Sequence, residues 1–447
     1  MVKQPVEPRP AAGKRAAGAP HLISVVIPAW NEAQTMAELL SRIRAVLEPR
    51  ARAIEILVVV PSREDPTAAV AEAGGARVLV QGSPGYGGAL REGLRAAAGD
   101  YVITMDADLS HPPETIADLM ARRESAEVVV ASRYVAGGSA QMPSGRALLS
   151  RILNTVFRRA LSVPVRDLSS GYRIYQRKVL REVELQSENF DVLEEILVQI
   201  YTLGWNVVEI PFDYRFRIAG KSHASVVGFA PHFLRTLSRL WKMRNTFASA
   251  DYDSRAYDSI VLPQRYWQRM RVKALTDMAG DRRPRLDVGC GSSRFIQGSP
   301  DSIGFDLEMA KLRFLRKTNR LLVRGTCFRL PFADRSFGCV VSSQVIEHLP
   351  YDRALFRELN RVLAVGGTLV VGTPDYGRIE WRITEWLYKI LLPNAYGDDH
   401  VTHYTRERLE RELAETGFDV VRYRYVFRGE LIAQCAKRRD APDPEPA

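Results

Sequence analysis

Four runs of β-branched and aliphatic residues punctuate the first 105 positions: Ser24–Pro28 (SVVIP), Ile54–Val60 (IEILVVV), Ala76–Val80 and Tyr101–Met105 (YVITM). Apolar runs of this length without polar alternation predict strands covered on both faces. The segments between them carry the helical period. Met36–Val46 and the next residue place apolar side chains at 36, 39, 40, 43, 46 and 47, Pro66–Gly74 is Ala-rich, and Ala89–Ala98 is closed by Gly99. Strand and helix alternating at this spacing predict an α/β fold with a mainly parallel sheet. Ligands of such sheets bind outside the carboxyl ends of the strands.

The fourth strand carries two carboxylates to that end. Asp106 and Asp108 follow Met105 directly, and His111, Pro112 and Pro113 stop any regular element. Paired carboxylates repel unless something positive lies between them, and a hard divalent cation that shares its shell with phosphates is the natural partner. Asp-x-Asp alone also describes a solvated acidic turn. The Gly-rich stretch Gly82–Gly88 (GSPGYGG) serves equally a tight turn or a close approach to phosphate or sugar.

Further on, Val128–Tyr134 is a strand ending near Arg133, and Ala147–Leu161 a helix. Arg146, Ser150 and Asn154 share one face there, suited to a phosphate or simply to solvent. Asp167–Arg173 (DLSSGYR) is a loop, Val192–Leu203 a helix with Glu194 and Glu195, Val207–Pro211 a strand and Tyr214–His223 a basic loop.

A chain of 447 residues implies two or three domains. Its net charge of +11 suits an anionic partner: phosphates, nucleic acid or an anionic membrane. No recognised nucleic-acid-binding motif accompanies the charge, which leaves a nucleic-acid-binding protein as a remote alternative. Four scattered cysteines argue against a zinc site and a disulfide framework, and so for a reduced, cytoplasmic setting. No stretch reaches the ~18–20 apolar residues of a membrane span. The expected division is a disordered tail at 1–20, a first domain at 21–245, a linker at 246–280, a second domain at 281–437 and a tail at 438–447. Within it, Val226–Phe247 fits an amphipathic helix on a membrane surface or a helix closing the first domain.

VVIPAWNE, MDADLSHPPE, ASRY, RDLSSGYR and RFRIAGKSH occur in the order and spacing of family 2 glycosyltransferases, and the chain from Leu22 to Arg244 resembles the dolichol- or polyprenyl-phosphate mannose synthases. The resemblance implies a GT-A nucleotide-diphospho-sugar transferase domain. Pro28, Trp30 and Glu32 would line the nucleotide site, and Asp106 and Asp108, flanking Ala107, would hold Mg²⁺ or Mn²⁺ on the donor diphosphate. Arg133, Arg146 and Ser150 would take the acceptor phosphate. Arg217 would face the diphosphate, with His223 where the family commonly has Lys. Asp108, Arg133 and Glu195 are the implied catalytic residues, and Asp167 falls on another acidic position. Two departures stand out: Val60 and Pro61 occupy the place of an Asp-Asp pair, and Ser110 that of a frequent Gln. The implied partners are a nucleotide sugar and a polyprenyl phosphate or other lipid acceptor, on the inner face of the membrane.

The second half begins with a strand running into a glycine turn, Arg285–Ser293 (RLDVGCGSS), and a short strand ending in an acid, Ile303–Asp306 (IGFD). That distance suits a nucleoside site, though a lone G-x-G also marks an ordinary βα turn. With LPFADRSF and VIEHLP following, residues from Pro284 to Gln434 resemble class I S-adenosylmethionine-dependent methyltransferases of the small-molecule type, a Rossmann-like fold. The resemblance implies that Asp287, Gly289 and Gly291 cradle the methionine part of the cofactor and Asp306 its ribose, with Gln344, Glu347 and His348 fronting the substrate. Ser293 replaces a third glycine and Thr326 an adenine-contacting Asp. His348 and His400 are candidate bases or structural histidines. The expectation is thus a bifunctional enzyme, with a glycosyltransferase beside a degenerate methyltransferase-like module as the alternative.

Overall fold

The computed structural model describes residues 21–141, 143–216, 230–391 and 400–441. The chain packs into two compact units. The first takes the described residues up to 148 with 169–192 and 208–216; the second takes 149–168, 193–207 and the described residues from 230 onward.

The elements run β1 (Leu22–Pro28), α1 (Ala33–Leu47), β2 (Ala53–Val60), α2 (Pro66–Ala73), β3 (Arg77–Val80), α3 (Gly85–Ala96), β4 (Tyr101–Thr104), α4 (Thr115–Arg122) and β5 (Val128–Ser132). They continue with β6 (Ser139–Ala140), α5 (Ser144–Leu161), β7 (Arg173–Gln176), α6 (Arg177–Leu180), α7 (Val192–Thr202), β8 (Val207–Pro211) and β9 (Asp213–Tyr214). The main sheet has the order β3-β2-β1-β4-β7-β5-β8. The β3-β2-β1-β4 half is parallel, as the alternation predicts. β7 runs antiparallel between β4 and β5. It begins at Arg173, the last residue of the expected loop, and RIYQ is too short for periodicity to mark it. Ile23, Val25, Ile27, Val58, Val60, Ile103 and Val129 meet Met36, Leu39, Leu40 and Ile43 of α1 in the core.

Gly85, Gly87 and Gly88 of GSPGYGG belong to the start of α3. Cβ atoms on Gly85 and Gly87 would lie 2.3 Å from the carbonyl oxygens of Glu188 and Ser187, and one on Gly88 2.0 Å from that of Ser83. The close approach they permit is to the chain's own backbone.

The second unit adds α8 (Ala230–Arg244), α9 (Tyr252–Tyr257), α10 (Leu262–Ala279), β10 (Arg285–Val288), α11 (Arg294–Gln297), β11 (Ile303–Asp306), α12 (Met309–Leu315), β12 (Leu322–Arg324) and β13 (Phe337–Ser343). After a 3₁₀ turn at Ile346–His348 come α13 (Ala354–Val362), β14 (Leu363–Pro374), α14 (Ile379–Leu391), α15 (Arg406–Glu415), β15 (Phe418–Val426) and β16 (Glu430–Lys437). The sheet order is β12-β11-β10-β13-β14-β16-β15, with only the last two pairings antiparallel.

Two segments expected as a linker and a disordered tail are built into this unit in part. Within 246–280, α10 buries Trp267, Ala274, Leu275 and Met278 against Cys339, Val341, Val370 and Ile432. A period of mixed Arg, Gln and aromatic residues had hidden that face. Beyond β16, the Ala441 amide donates to Asn360 Oδ1 and Lys437 pairs with Asp440 at 2.7 Å, so 438–441 are docked. On α8, Phe233, Thr236, Leu240 and Arg244 form a buried face, and Phe233 meets Phe157 edge-on. Its buried face favours a packing helix over one lying on a membrane, but it packs in the second unit and does not close the first.

Candidate functional sites

In each sheet the strand order reverses beside the first strand, between β1 and β4 in one and between β10 and β13 in the other. Ligand crevices of open α/β sheets lie at such points, outside the carboxyl ends of the strands. Non-glycine residues with left-handed backbone mark both. Asn31 (φ 58°) follows β1, Leu109 (φ 61°) follows β4 and Gln344 (φ 60°) follows β13. Such conformations cost on the order of 1–3 kcal/mol and persist where surrounding structure imposes them.

At the first crevice β4 hands over to Asp106, whose backbone N–H donates to His111 Nδ1 at 3.0 Å. That nitrogen is therefore an acceptor, and the ring proton sits on Nε2, 3.7 Å from Asp106 Oδ2. Tyr86 donates its hydroxyl to Asp106 Oδ1 at 3.2 Å and stacks on Phe190. Burial, then the neighbouring Asp106 charge, pushes the Tyr86 phenol well above its ordinary pKa, so it remains a donor. His111 stacks on Tyr172, whose hydroxyl donates to the Pro112 carbonyl. Gly171 lies against this cluster: a Cβ there would sit 2.8 Å from Tyr86 Oη. Asp108 is buried and accepts from the Ser110 amide at 3.0 Å and its hydroxyl at 2.5 Å.

Around this pair, Pro28 ends β1, Trp30 is 57% exposed and Glu32 precedes α1, while the Ala107 carbonyl accepts from Thr35 Oγ1. Val60 and Pro61 leave the end of β2 without the expected acid, but Asp65 caps α2 close by and accepts from the Asn31 amide at 3.0 Å. Arg133 donates to Ser169 Oγ at 2.8 Å and lies over the Tyr134 and Tyr214 rings. Other expected residues fall elsewhere. Ser150, Asp167 and Glu195 belong to the second unit, where Glu195 is fully buried and paired with Arg239. Arg217 and His223, and the side chain of Arg146, lie outside the described residues.

The second crevice contains a cavity of about 280 Å³ with a side lobe of about 70 Å³. Gly289 (φ 70°) and Gly291 (φ 53°) make its floor. A Cβ on Gly289 would lie 2.2 Å from Val345, and one on Gly291 2.6 Å from Asp253. Asp306 accepts from the Gly291 and Glu308 amides, each at 2.8 Å. Asp253, from α9, accepts from the Ser292 amide at 3.0 Å. Burial works against its charge, but Lys311, Arg271 and the Ser292 donors outweigh that and hold it below the ordinary carboxylate range. Asp287 has the opposite fate: burial, and then repulsion from Asp306, push it up to about 8.

This floor mixes Asp253 and Asp287 with Lys311 and Arg271, which fits the zwitterionic amino-acid end of S-adenosylmethionine. Phe305, Leu307 and Phe328 offer the apolar wall a nucleoside needs. At the far wall His348 and His400 stand with ring centroids 4.9 Å apart. Between the two wall regions, Gln344 donates to Glu430 at 3.1 Å, and Glu430 also accepts from Trp267.

Residues 24–184 match the glycosyl transferase family 2 domain. The polyprenol monophosphomannose synthase of Mycolicibacterium smegmatis is 32% identical over 217 residues, which span 45% of this chain and 80% of that protein. The chain belongs to glycosyl transferase family 2. The dolichol-phosphate mannosyltransferase of Pyrococcus furiosus is 35% identical over 210 residues, covering 45% of this chain and 58% of that protein. The dolichyl-phosphate hexose transferase of Haloferax volcanii is 30% identical over 199 residues, covering 44% of this chain and 83% of its own length. Residues 286–371 match a methyltransferase domain. A GT-A glycosyltransferase domain and a Rossmann-like methyltransferase domain thus share one chain.

Several site residues of this glycosyl transferase carried no signal in the sequence. Tyr86 stood inside a glycine run, His111 beside two prolines that explained it as a stop, and Asp65 four residues past the expected acid pair. Asp253, Arg271 and Lys311 come from helices on either side of the glycine turn, and no spacing rule links them.

Proposed function

We propose that the first domain, 21–245, transfers a sugar from a nucleotide sugar to a polyprenyl phosphate, and that the second, 281–437, methylates a small-molecule, sugar or lipid acceptor with S-adenosylmethionine. The observation that carries the first part is the Asp106 carboxylate at the strand-order reversal, which accepts a hydrogen bond from Tyr86 and has His111 Nε2 3.7 Å away. Relatives of this family are named as polyprenol- and dolichol-phosphate mannosyltransferases.

Asp106 and Asp108 are the residues that would hold Mg²⁺ or Mn²⁺, which when bound neutralises the departing diphosphate. The tyrosine orients Asp106, and the Ser110 donors orient Asp108, so neither carboxylate is left to swing. Arg133, clamped by Ser169 and two tyrosine rings, presents a fixed cation to an acceptor phosphate. A lipid phosphate is already an anion at neutral pH, so it attacks without the general base that a sugar hydroxyl requires. Helix α5, which carries Arg146 and Ser150, exposes Leu149, Ile152 and Val156 along one stripe among arginines. Among the described residues no helix is long and apolar enough to cross a membrane. An apolar stripe beside basic residues suits peripheral contact with an anionic leaflet and its lipid acceptor.

The test is transfer from a panel of radiolabelled nucleotide sugars to a short polyprenyl phosphate, with Mg²⁺, with Mn²⁺ and with chelator, and Asp108→Ala as control. Metal-dependent label in the lipid fraction, lost in the variant, is the expected result. No transfer from any donor overturns the assignment. For the second domain, calorimetry with S-adenosylmethionine separates an active site from a degenerate module: binding without methyl transfer to any product of the first domain would favour the module.

A further inference from the structure

His348 and His400 line the second cavity, Glu347 is buried beside them, and one ligand atom from each of the three lies within 4.8 Å of the others. We propose that these three side chains form a binding site for a first-row divalent cation such as Zn²⁺ or Mn²⁺, and that an oxygen of the methyl acceptor completes its coordination. The second clause rests on the methyltransferase reading of the cavity; the first does not.

Three observations carry it. Glu347 is fully buried, and its Oε2 accepts from Thr373 Oγ1 at 3.1 Å while Oε1 has no hydrogen-bond partner. A buried carboxylate oxygen left unsatisfied is costly, and a cation at this point would satisfy it. His400 has its Nδ1 2.6 Å from the Tyr376 hydroxyl. Ligating imidazoles are oriented in this way, by a hydrogen bond through one nitrogen that leaves the lone pair on the other. His348 and His400 both line the cavity, His348 stacks on Phe247 and His400 on Trp381, and these rings hold the two imidazoles in place.

Two imidazoles and one carboxylate favour Zn²⁺, Mn²⁺ or Fe²⁺ over Mg²⁺, which prefers oxygen ligands and keeps its waters. Three protein ligands leave positions open, and the cavity is where an acceptor would enter. An acceptor bound through oxygen — a sugar hydroxyl or a carboxylate — is the class this arrangement selects. The site is separate from Asp106 and Asp108, which lie in the other unit.

The experiment uses the full chain carrying Asp106→Asn and Asp108→Asn, so that binding at the first domain is removed. After dialysis against chelator, the protein is titrated by calorimetry with Zn²⁺, Mn²⁺ and Mg²⁺, and Co²⁺ absorption is recorded. One Zn²⁺ or Mn²⁺ per chain, Mg²⁺ at least tenfold weaker, and a Co²⁺ spectrum of a site containing imidazole are expected. His348→Asn and His400→Gln, added singly, should each lower affinity at least tenfold. Circular dichroism and S-adenosylmethionine binding report whether these variants remain folded. No stoichiometric Zn²⁺ or Mn²⁺, or affinity unchanged in both histidine variants, overturns the cation site. Cation binding with no S-adenosylmethionine binding in the parent chain overturns the methyltransferase reading and the acceptor clause, and leaves the cation site standing.

Discussion

Replacing Gly171 by alanine isolates the contribution of the Tyr86–Asp106 contact. Gly171 is not in the left-handed region, so alanine is conformationally acceptable and the effect is steric. The new methyl would stand 2.8 Å from Tyr86 Oη, more than half an ångström inside ordinary contact, but 3.5 Å from Asp106 Oδ1 and 3.8 Å from His111. Tyr86 is the group that must give, and its ring is held against Phe190 at 4.6 Å. The hydroxyl swings off the carboxylate, and a 3.2 Å hydrogen bond to a charged group is lost. Bonds of that kind contribute ~1.5–3 kcal/mol. If Asp106 must hold its orientation for transfer, the rate falls roughly ten- to a hundredfold. The assay is sugar transfer to polyprenyl phosphate alongside a thermal melt. The melting temperature should stay within a few degrees of the parent or rise, because alanine lowers the entropy of the unfolded chain. Tyr86→Phe should lose a similar factor, and the double variant little more than either, since both remove one bond. Transfer within twofold of the parent in a folded Gly171→Ala protein would refute the reasoning, and so would strict additivity of the two losses.

Other perturbations probe other links. Arg244 is fully buried, donates to both oxygens of Asp251 and also to the Leu161 carbonyl; Arg244→Met strands that carboxylate and should cost ~3–5 kcal/mol in denaturant unfolding. Burial disfavours the Asp251 charge but the Arg244 cation outweighs it, so its folded pKa lies below the unfolded one. This pair's stabilisation is present above the unfolded pKa and is lost as pH falls through the folded value, so the parent's advantage over the variant should shrink in acid melts. Asp287 runs the other way: with its folded pKa pushed up to about 8, the folded state holds a proton that the unfolded state releases earlier. Stability therefore declines from about pH 4 to pH 8 on its account, and Asp287→Asn should gain thermal stability over the parent across that window, then level off. Gly289→Ala places a methyl 2.2 Å from Val345 at a φ of 70°, and should abolish S-adenosylmethionine binding by calorimetry while transfer by the first domain persists.

Both folds were legible because their signals are local. Val25, Ile27, Val58 and Ile103 are apolar on both faces of short runs, and the sheet buries them on both faces. Asp106 could be placed at a strand end because a strand that must be buried stops where charge begins. β7 was not legible, since four residues paired on both edges need no period of their own. Nor was the packing of α10: its buried face includes Gln268 and Arg271, so polarity and burial do not separate along it.

The sequence by itself determined the two α/β domains, the strand ends that carry Asp106 and Gly289, and the family of the first half, because periodicity, glycine turns and ordered motifs are properties of contiguous residues. Tertiary structure alone decided what surrounds those strand ends. It brought Tyr86, His111 and Gly171 to Asp106, Asp253 and Lys311 to the glycine turn, and His400 to His348 across more than fifty positions. Side chains meet there because helices and loops from distant parts of the chain end at one edge of a sheet. Burial in that common space works against both Asp287 and Asp253, and their neighbours decide the outcome: Asp306 adds to it at Asp287, while Lys311, Arg271 and the Ser292 donors overcome it at Asp253.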